Sequence, residues 1–251
     1  MTATKDIVSA LDEWLDIHGI EDSSANGLQV EGPSEVCRIA LATDAAMAVY
    51  RRAAELRCGF LLVHHGLIWG GLDAISGRIY EHVRFLIENE MALYAAHLPL
   101  DVHPELGNNT RLASLAGLTD TRPFWEHRGA ATGVAGFLPE PLTIEALAVT
   151  FQDRIGGSPE LLPFGREKIR SVGIVSGGGG KAIEEAIRLG LDCFVTGEPT
   201  HSHHHLALEA GINAIYLGHY HSETAGVRAV GERLEERFGV ETVFIDMPTL
   251  V

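Results

Sequence analysis

The sequence predicts an α/β fold, and two observations along the 251-residue chain support that prediction. Short apolar runs of strand length alternate with amphipathic helical segments, which is typical of parallel strands joined by helical crossovers. The same order of elements then begins a second time, after about residue 121. The length accommodates one large domain or two small ones, each able to bury a core. We therefore expect two α/β domains, residues 1–124 and 125–251, related by a remote duplication.

The first half predicts three helices and three strands from apolar periodicity and from turn residues. In chain order these are a helix over 7–15, a strand over 38–42, a helix capped by Asp44 and ending near residue 56, a strand ending at His64, a helix over 79–89 and a strand over 91–96. The carboxyl ends of these strands carry the polar residues that the remaining argument depends on.

The second half repeats the pattern. The predicted elements are a strand over 132–138, a helix over 143–151, a strand over 169–175, a turn over 177–180, a helix over 181–189, strands over 193–195 and 214–217, and a last helix capped by Ser222. Residues 39–44 align with 172–177, and 64–66 align with 196–198, which suggests the duplication. The four glycines of the turn either pack tightly or cradle an anion at a helix start. The sequence lacks the GxxxxGK[ST] pattern of a P-loop, which favours a tightly packed turn over an anion-binding one.

Composition narrows the function classes. The formal net charge of −15 argues against general nucleic-acid binding, which needs basic surface to neutralise phosphates. No apolar run approaches the roughly 20 residues that span a bilayer. The first residues lack the cationic start and apolar core of a secretion signal. We expect a cytoplasmic protein that does not bind membranes.

Ten of the thirteen histidines lie within residues 64–65, 97–103 and 201–221, which favours a site over scattered surface usage. Two stretches read almost as copies, since residues 92–97 and 214–219 are each an apolar run that ends in a histidine. A carboxylate follows each histidine four positions later. A third run ends in two adjacent histidines and Gly66. Imidazole with carboxylate is a ligand set for divalent metals, so three such strand ends predict a polynuclear metal site.

Each motif also has an ordinary structural explanation. An isolated His-His pair is most often a loop or surface feature, and consecutive strand residues point to opposite faces unless the backbone turns, as Gly66 permits. Asp101 fits a turn residue, since Pro99 and Pro104 predict a loop there, and Glu223 fits a carboxylate in the first turn of a helix. The coincidence of all three motifs at strand ends favours the metal site.

The remaining histidines divide into two groups. In the run from His201 to His205, the first and last are four residues apart on a predicted helix, so one of them faces the site or orients a ligand. We expect His203 and His204 to lie on the surface. The others have no ligand-like neighbours and are expected to be structural or surface residues: His18, His82 and His127.

These motifs together resemble the NIF-three-like dinuclear metal-centre proteins, the GTP cyclohydrolase 1 type 2 homologues. The matching segments, in order, are 26–30, 63–67, 97–101, 196–199 with His201 and His205, and 218–223. The resemblance covers nearly the whole chain. It implies two α/β domains with a two-metal site in the cleft between them, and toroidal homohexamers built from dimers. The ligands that it implies are His64, His65, Asp101, His219 and Glu223.

Five such ligands saturate two ions only if a carboxylate bridges them and water fills the remaining positions. Two divalent ions sharing a water lower its pKa toward neutrality and create a nucleophile. Histidine and carboxylate ligands fit Zn, Fe, Mn or Co. We therefore expect a metal-dependent hydrolase, cyclohydrolase-like, acting on a small nucleotide-like or heterocyclic substrate. Glu198 is the candidate general acid or base, with His97 as the alternative. The alternative function is a non-catalytic metal-handling or regulatory protein.

Overall fold

The computed structural model describes residues 1–249. Its strands are β1 (Thr2–Ala3), β2 (Gly27–Val30), β3 (Glu35–Val36), β4 (Arg38–Asp44), β5 (Phe60–His65), β6 (Ala92–Ala95), β7 (Thr119–His127), β8 (Ala130–Leu142), β9 (Glu160–Pro163), β10 (Ile169–Val175), β11 (Cys193–Thr196), β12 (Asn213–Tyr216) and β13 (Glu241–Phe244). Its helices are α1 (Thr4–Trp14), α2 (Met47–Glu55), α3 (Gly77–Glu88), α4 (Leu98–Asp101), α5 (Asn108–Leu115), α6 (Ile144–Ile155), α7 (Ile183–Arg188), α8 (His201–Ala210), α9 (His219–Ser222) and α10 (Thr224–Phe238). A 3₁₀ turn, Gly179–Ala182, precedes α7.

The chain forms two compact units. The first comprises Met1–Leu106 and Gly226–Met247, and the second comprises Gly107–Ala225 with the C-terminal residues from Pro248 onward. These bounds differ from the predicted domains 1–124 and 125–251 because β13 pairs with β4 in the N-terminal sheet. Leu250 and Val251, at the end of the predicted second domain, lie outside the described residues.

The first unit is built on a five-stranded sheet in the order β13-β4-β5-β6-β2. β13, β4, β5 and β6 run parallel, and β2 is antiparallel to β6. Asp44 at the end of β4 is in register with His65 at the end of β5. Because the carboxyl ends of parallel strands share one sheet edge, the residues that follow β4, β5 and β6 are brought together there.

Helices cover both faces of this sheet. Along β5, Phe60 and Leu62 pack into a cluster with residues of α1 and α10, whereas Leu61 and Val63 pack into a second cluster with residues of α2 and α3. The alternation follows from the two-residue period of a strand. A parallel sheet buried on both faces reads in sequence as a continuous apolar run, as residues 60–63 do.

The second unit has a six-stranded sheet in the order β7-β8-β10-β11-β12-β9. β10, β11 and β12 are parallel, and the other three strands join by antiparallel pairing. Along β10, Val172 and Ile174 pack with α5 and α6, and Val175 packs on the opposite face with α7 and α8. Each unit therefore contains three sequential parallel strands covered by helices on both faces, as the α/β prediction requires. The duplication itself stays a prediction.

Most elements agree with the sequence-based expectations, and strand β10 has the predicted bounds. Six strands were not predicted, namely β1, β2, β3, β7, β9 and β13. β1 and β3 have only two residues each. β7 is polar and largely exposed, so it lacks an apolar alternation, and β9 and β13 have only four residues each. Within residues 1–249, none of the helices combines the length and apolar character needed to cross a membrane.

Two predicted helix caps are wrong. Ala46, not Asp44, occupies the N-cap position of α2, and the Asp44 carboxylate instead accepts a hydrogen bond from His65. Ser222 does not cap the last helix, because its hydroxyl donates to the carbonyl of His219 and accepts from the amide of Gly177. Both side chains are thus used in tertiary contacts near strand ends.

Asp192 joins β10 to β11 through its carboxylate, which accepts hydrogen bonds from the Ser171 hydroxyl and from the amides of Arg170 and Ser171 at 2.9–3.0 Å. Burial acts to raise the pKa of this carboxyl, but these hydrogen bonds outweigh it and the pKa is lowered. A depressed folded pKa stabilises the fold above the unfolded value, near 4, and that contribution is lost as pH falls.

We expect Asp192→Asn to lose about 2 kcal/mol of unfolding free energy at pH 7, the magnitude typical of hydrogen bonds to a charged group. The deficit should begin to shrink below about pH 4, where the carboxyl of the unfolded wild-type chain becomes protonated, and should continue to fall toward the lowered folded pKa. Urea denaturation between pH 7 and pH 3 measures this, with the exposed Asp153→Asn as control. A deficit that stays constant with pH would contradict the electrostatic explanation.

Candidate metal centre

Three histidines meet at the carboxyl edge of the first unit's sheet. His64 and His65 end β5, and His97 follows β6. Their ring centroids lie 4.7 Å (His64–His65), 5.1 Å (His64–His97) and 5.6 Å (His65–His97) apart. One ligand atom from each imidazole lies within 4.8 Å of those of the other two. We call these residues, with Asp101, the histidine cluster.

Each imidazole of the histidine cluster has its Nδ1 against an oxygen acceptor. Nδ1 of His64 lies 2.9 Å from the carbonyl oxygen of Ala96, Nδ1 of His65 lies 2.9 Å from Oδ1 of Asp44, and Nδ1 of His97 lies 2.9 Å from Oδ2 of Asp22. Carbonyl and carboxylate oxygens only accept, so Nδ1 carries the proton and the lone pair of each ring is on Nε2.

Asp22 is held in place by its own hydrogen bonds. Its carboxylate accepts from the amides of Ser24 and Leu98 and from the side-chain amide of Asn26, in addition to His97. Burial acts to raise the pKa of Asp22, yet the hydrogen bonds from His97 and Asn26 prevail and hold it well below the usual range. The carboxylate is therefore ionised and fixes the orientation of His97.

Two polar side chains of the segment 26–30 hold the loops that follow β5 and β6. The carbonyl oxygen of the Asn26 side chain accepts from the amide of His97, and that of Gln29 accepts from the amide of Leu67. Gly66 lies against the Gln29 side chain, and a Cβ there would collide with it. Asn26 and Gln29 thus position the loops after β6 and β5, which gives a physical reason for the motif noted in the sequence.

Asp101 belongs to the helical turn α4, so the predicted loop is wrong at this point. Pro99 lies in the first turn of that helix, where a missing amide proton costs nothing. Asp101 is buried, and its Oδ2 lies 3.6 Å from Nε2 of His64. Two ligands, each about 2.1 Å from a tetrahedral ion, are about 3.4 Å apart, so this pair has the spacing of metal ligands.

A second set of ligand-type residues lies in the second unit. His219 begins α9, Glu223 follows that helix, and Glu198 follows β11. Nδ1 of His219 lies 2.5 Å from Oε1 of Glu198, and its Nε2 lies 3.1 Å from Oε2 of Glu223. We call these three residues the His219 cluster. Its imidazole repeats the acceptor at Nδ1, whereas its Nε2 faces a second carboxylate, that of Glu223.

The glycine turn after β10 packs against the His219 cluster. Gly177 has a φ of +56°, and a Cβ on it would collide with Oε1 of Glu223. Its amide donates to Ser222, and its carbonyl accepts from the amides of Gly197 and Glu198. The packed-turn interpretation of residues 177–180 agrees with these contacts, and the absence of a side chain lets the backbone approach the carboxylate.

The histidine run on α8 differs from the prediction at one position. His203 is buried, which makes the expected surface position wrong, whereas His201, His204 and His205 are exposed. His203 lies one helical turn before the buried Ala207 and so shares the inward face. Burial lowers the pKa of His203 and favours its neutral form. His18 and His127 are exposed, as expected, and His82 is buried edge-on against Tyr50.

The structure thus brings together His64, His65, His97 and Asp101 within the first unit, and Glu198, His219 and Glu223 within the second. Sequence reasoning missed Asp22 and Asp44 as partners of the imidazoles. Asp44 was detectable in principle, because it ends the strand beside β5. Asp22 lies in a loop far from any strand end and gave no usable signal.

Two observations indicate that the histidine cluster and the His219 cluster are suited to metal ions. The donor set is imidazole and carboxylate, which zinc, iron, manganese and cobalt accept. A histidine that binds such an ion characteristically donates a hydrogen bond from its other ring nitrogen to a carboxylate or a backbone carbonyl. The imidazoles of both clusters have such an acceptor, at His64, His65, His97 and His219. Clustered histidine and carboxylate groups in this chain are therefore able to hold metal ions.

A cavity of about 690 Å³ opens beside Glu198 within the second unit. Among the described residues, its lining includes two carboxylates, a tyrosine and a histidine, and contains no lysine or arginine. These four are Glu160, Glu198, Tyr216 and His221. Burial and the nearby Glu160 raise the pKa of Tyr216, so its hydroxyl stays protonated. The cavity therefore offers hydrogen-bond acceptors and negative charge.

Comparisons with known proteins cover nearly the whole chain. The family model described as Duf34/NIF3 (NGG1p interacting factor 3) matches residues 2–250. A relative from Archaeoglobus fulgidus, named GTP cyclohydrolase 1 type 2 homolog, is 43% identical over 97% of this chain and 98% of its own. One from Deinococcus radiodurans with the same name is 43% identical over 97% and 93%. A crystal structure of a Thermus thermophilus protein aligns with a TM-score of 0.91, at 40% identity and full coverage of both chains.

We expect Gly177→Ala to weaken metal binding by about tenfold or more, as loss of ligand support typically does, because the new methyl group displaces Glu223. A left-handed alanine also costs about 1 kcal/mol of stability. Gly178→Ala is the matched control, since its Cβ meets no atom within 4 Å and its φ is −76°. Metal content and chemical denaturation measure the two effects. Equal metal content in both variants would contradict the placement of Glu223.

Proposed function

The chain belongs to the Duf34/NIF3 family, and we propose that it is a dinuclear metal-dependent hydrolase acting on a small nucleotide-like or heterocyclic substrate. One observation supports this most strongly. Four imidazoles at strand ends, those of His64, His65, His97 and His219, each have Nδ1 against an oxygen acceptor. Surface histidines have no need of such restraint, whereas metal ligands do.

We propose His64, His65, Asp101, His219 and Glu223 as the ligands of the two ions. The spacings within each cluster, 3.6 Å for His64–Asp101 and 3.1 Å for His219–Glu223, suit pairs that share an ion. The histidine cluster also contains His97, whose Nε2 lone pair makes it a further ligand or a proton acceptor. Zinc, iron, manganese and cobalt all accept this donor set, and elemental analysis of the native protein identifies which one it binds.

When bound, two divalent ions would supply Lewis acidity and a water of lowered pKa. The chain's own residues would do the remaining work. Glu198 holds the proton on Nδ1 of His219, and its side chain is 43% exposed, so it can exchange a proton with a substrate in the adjacent cavity. His97 is fixed by Asp22 and is the alternative proton carrier. Both roles follow the requirement that a general acid or base lies within hydrogen-bond reach of the reacting group.

The cavity beside Glu198 indicates which part of a substrate it would bind. Glu160 and Glu198 repel phosphate and accept hydrogen bonds, so a group with N–H donors or positive charge fits. We propose that an amino-bearing heterocycle occupies this cavity, and that any phosphates of the substrate lie outside it. The substrate preference thus follows from charge and not from volume.

The second candidate function is metal handling without turnover. The observation that favours it is the exposure of three histidines on α8, His201, His204 and His205, in a chain with a formal net charge of −15. A handling protein should exchange its ions readily and transfer them to an apo-acceptor. A hydrolase should retain them through dialysis. The homohexamer is what the family resemblance implies, and size-exclusion chromatography with light scattering tests it. The cytoplasmic location stays a prediction from the sequence.

His219→Ala and Glu223→Gln should each reduce bound metal by about half or more, because each removes a proposed ligand. Plasma mass spectrometry of dialysed protein gives the metal content per chain. His127→Ala, which removes an exposed histidine outside both clusters, should retain the wild-type content. Unchanged metal in both ligand variants would overturn the assignment.

Glu198→Gln should retain most of the metal and lower turnover about 10²- to 10⁴-fold, the range typical of a lost general acid or base. A screen of amino-heterocycles and their nucleotides on metal-loaded protein would identify the substrate first. If the rate falls only in proportion to lost metal, Glu198 acts by orienting His219 alone.

A further inference from the structure

Helix α8 presents two histidines one turn apart on a solvent-facing side. His201 is its first residue and His205 lies four positions later. Side chains at this spacing have Cβ atoms about 5–6 Å apart and lie on the same face of a helix. Both side chains are exposed, and both line a cavity of about 500 Å³ in the second unit. The pair is not part of the His219 cluster.

A carboxylate lines the same cavity. Glu160, on the edge strand β9, is exposed and lines this cavity together with His201 and His205 of α8. Two imidazoles with one carboxylate form a donor set that zinc uses in proteins, with water completing the coordination. The three side chains are exposed and line the same cavity.

The neighbouring histidines of the run are engaged differently. His204 is packed edge-on against Phe164, with ring centroids 5.1 Å apart, and His203 faces inward. His204 is itself exposed, lines the same cavity and has its ring centroid 5.5 Å from that of His205, so the run consists of one buried imidazole and three exposed ones that line the cavity.

We propose that His201, His205 and Glu160 form a further binding site for one divalent transition-metal ion, separate from the dinuclear centre. Imidazole nitrogen favours zinc, cobalt, nickel or copper over magnesium and calcium, so the site discriminates by ligand chemistry. The formal net charge of −15 raises the local concentration of cations around it. The cavity shares Glu160, Pro199 and Tyr216 with the one beside Glu198, so the bound ion would lie next to the proposed substrate cavity.

The test is isothermal titration calorimetry, in which zinc chloride is added to protein whose dinuclear centre is already loaded with metal. Magnesium is present in excess throughout. We expect one additional zinc equivalent per chain that magnesium does not displace. The double variant His201→Ala/His205→Ala should bind this equivalent at least tenfold more weakly, and Glu160→Gln should weaken it less. The control, His18→Ala/His127→Ala, removes two exposed histidines elsewhere and should bind it as the wild type does.

The outcomes distinguish this site from the dinuclear centre. Metal that survives dialysis should be the same in the double variant and the wild type, because His201 and His205 are not among the ligands proposed above. The proposal is overturned if wild-type protein binds no additional equivalent, if the double variant binds it as tightly as wild type, or if the control loses it equally. Failure of the dinuclear assignment in the His219 variants would leave this result unaffected.

Discussion

The restraint of histidine Nδ1 by oxygen acceptors is the interaction on which the rest of the site depends. An imidazole has two nitrogens, and only the one without a proton can bind a metal. A backbone carbonyl at His64 and carboxylates at His65 and His97 each fix the proton on Nδ1. Glu198 likewise accepts at Nδ1 of His219, whose Nε2 faces the carboxylate of Glu223. The same hydrogen bonds fix the ring orientation, so the lone pairs on Nε2 are set before any ion arrives. Preorganised ligands bind more tightly, since less conformational entropy is lost on binding.

The fold supplies three of these acceptors through strand register, and the fourth, Asp22, comes from a loop. Parallel pairing of β4 with β5 places Asp44 beside His65, and the carbonyl of Ala96, just after β6, is level with His64. In the second unit, Glu198 follows β11 and His219 follows β12, which are neighbours in the sheet. A histidine at one strand end therefore meets an acceptor from the adjacent strand end in both units. This arrangement needs only a parallel sheet with polar residues where its strands stop.

This logic also explains what the sequence could and could not predict. The parallel strands, and the residues His64, His65, His97 and His219 at their ends, were evident because short apolar runs of strand length lead into these histidines. The role of Ser222 was not predictable, because a serine before a helix reads as a cap, and only the approach of Gly177 shows its other use. Asp22 was missed for a similar reason: its contact with His97 joins residues 75 positions apart, and no local pattern records it. Local periodicity thus predicts elements, whereas the partners of the ligands depend on tertiary contacts.

The two carboxylates that hold His97 and His219 differ in a way that bears on chemistry. The Asp22 side chain is 2% exposed and saturated by hydrogen bonds from Ser24, Asn26, His97 and Leu98, so protonating it would break several contacts at once. The Glu198 side chain is 43% exposed, faces a cavity, and has His219 as its hydrogen-bond donor. A carboxylate can carry protons in a reaction only if it can release its donors without disrupting the fold. By that criterion Asp22 orients its histidine and does nothing more, whereas Glu198 can orient His219 and also exchange protons with a bound molecule.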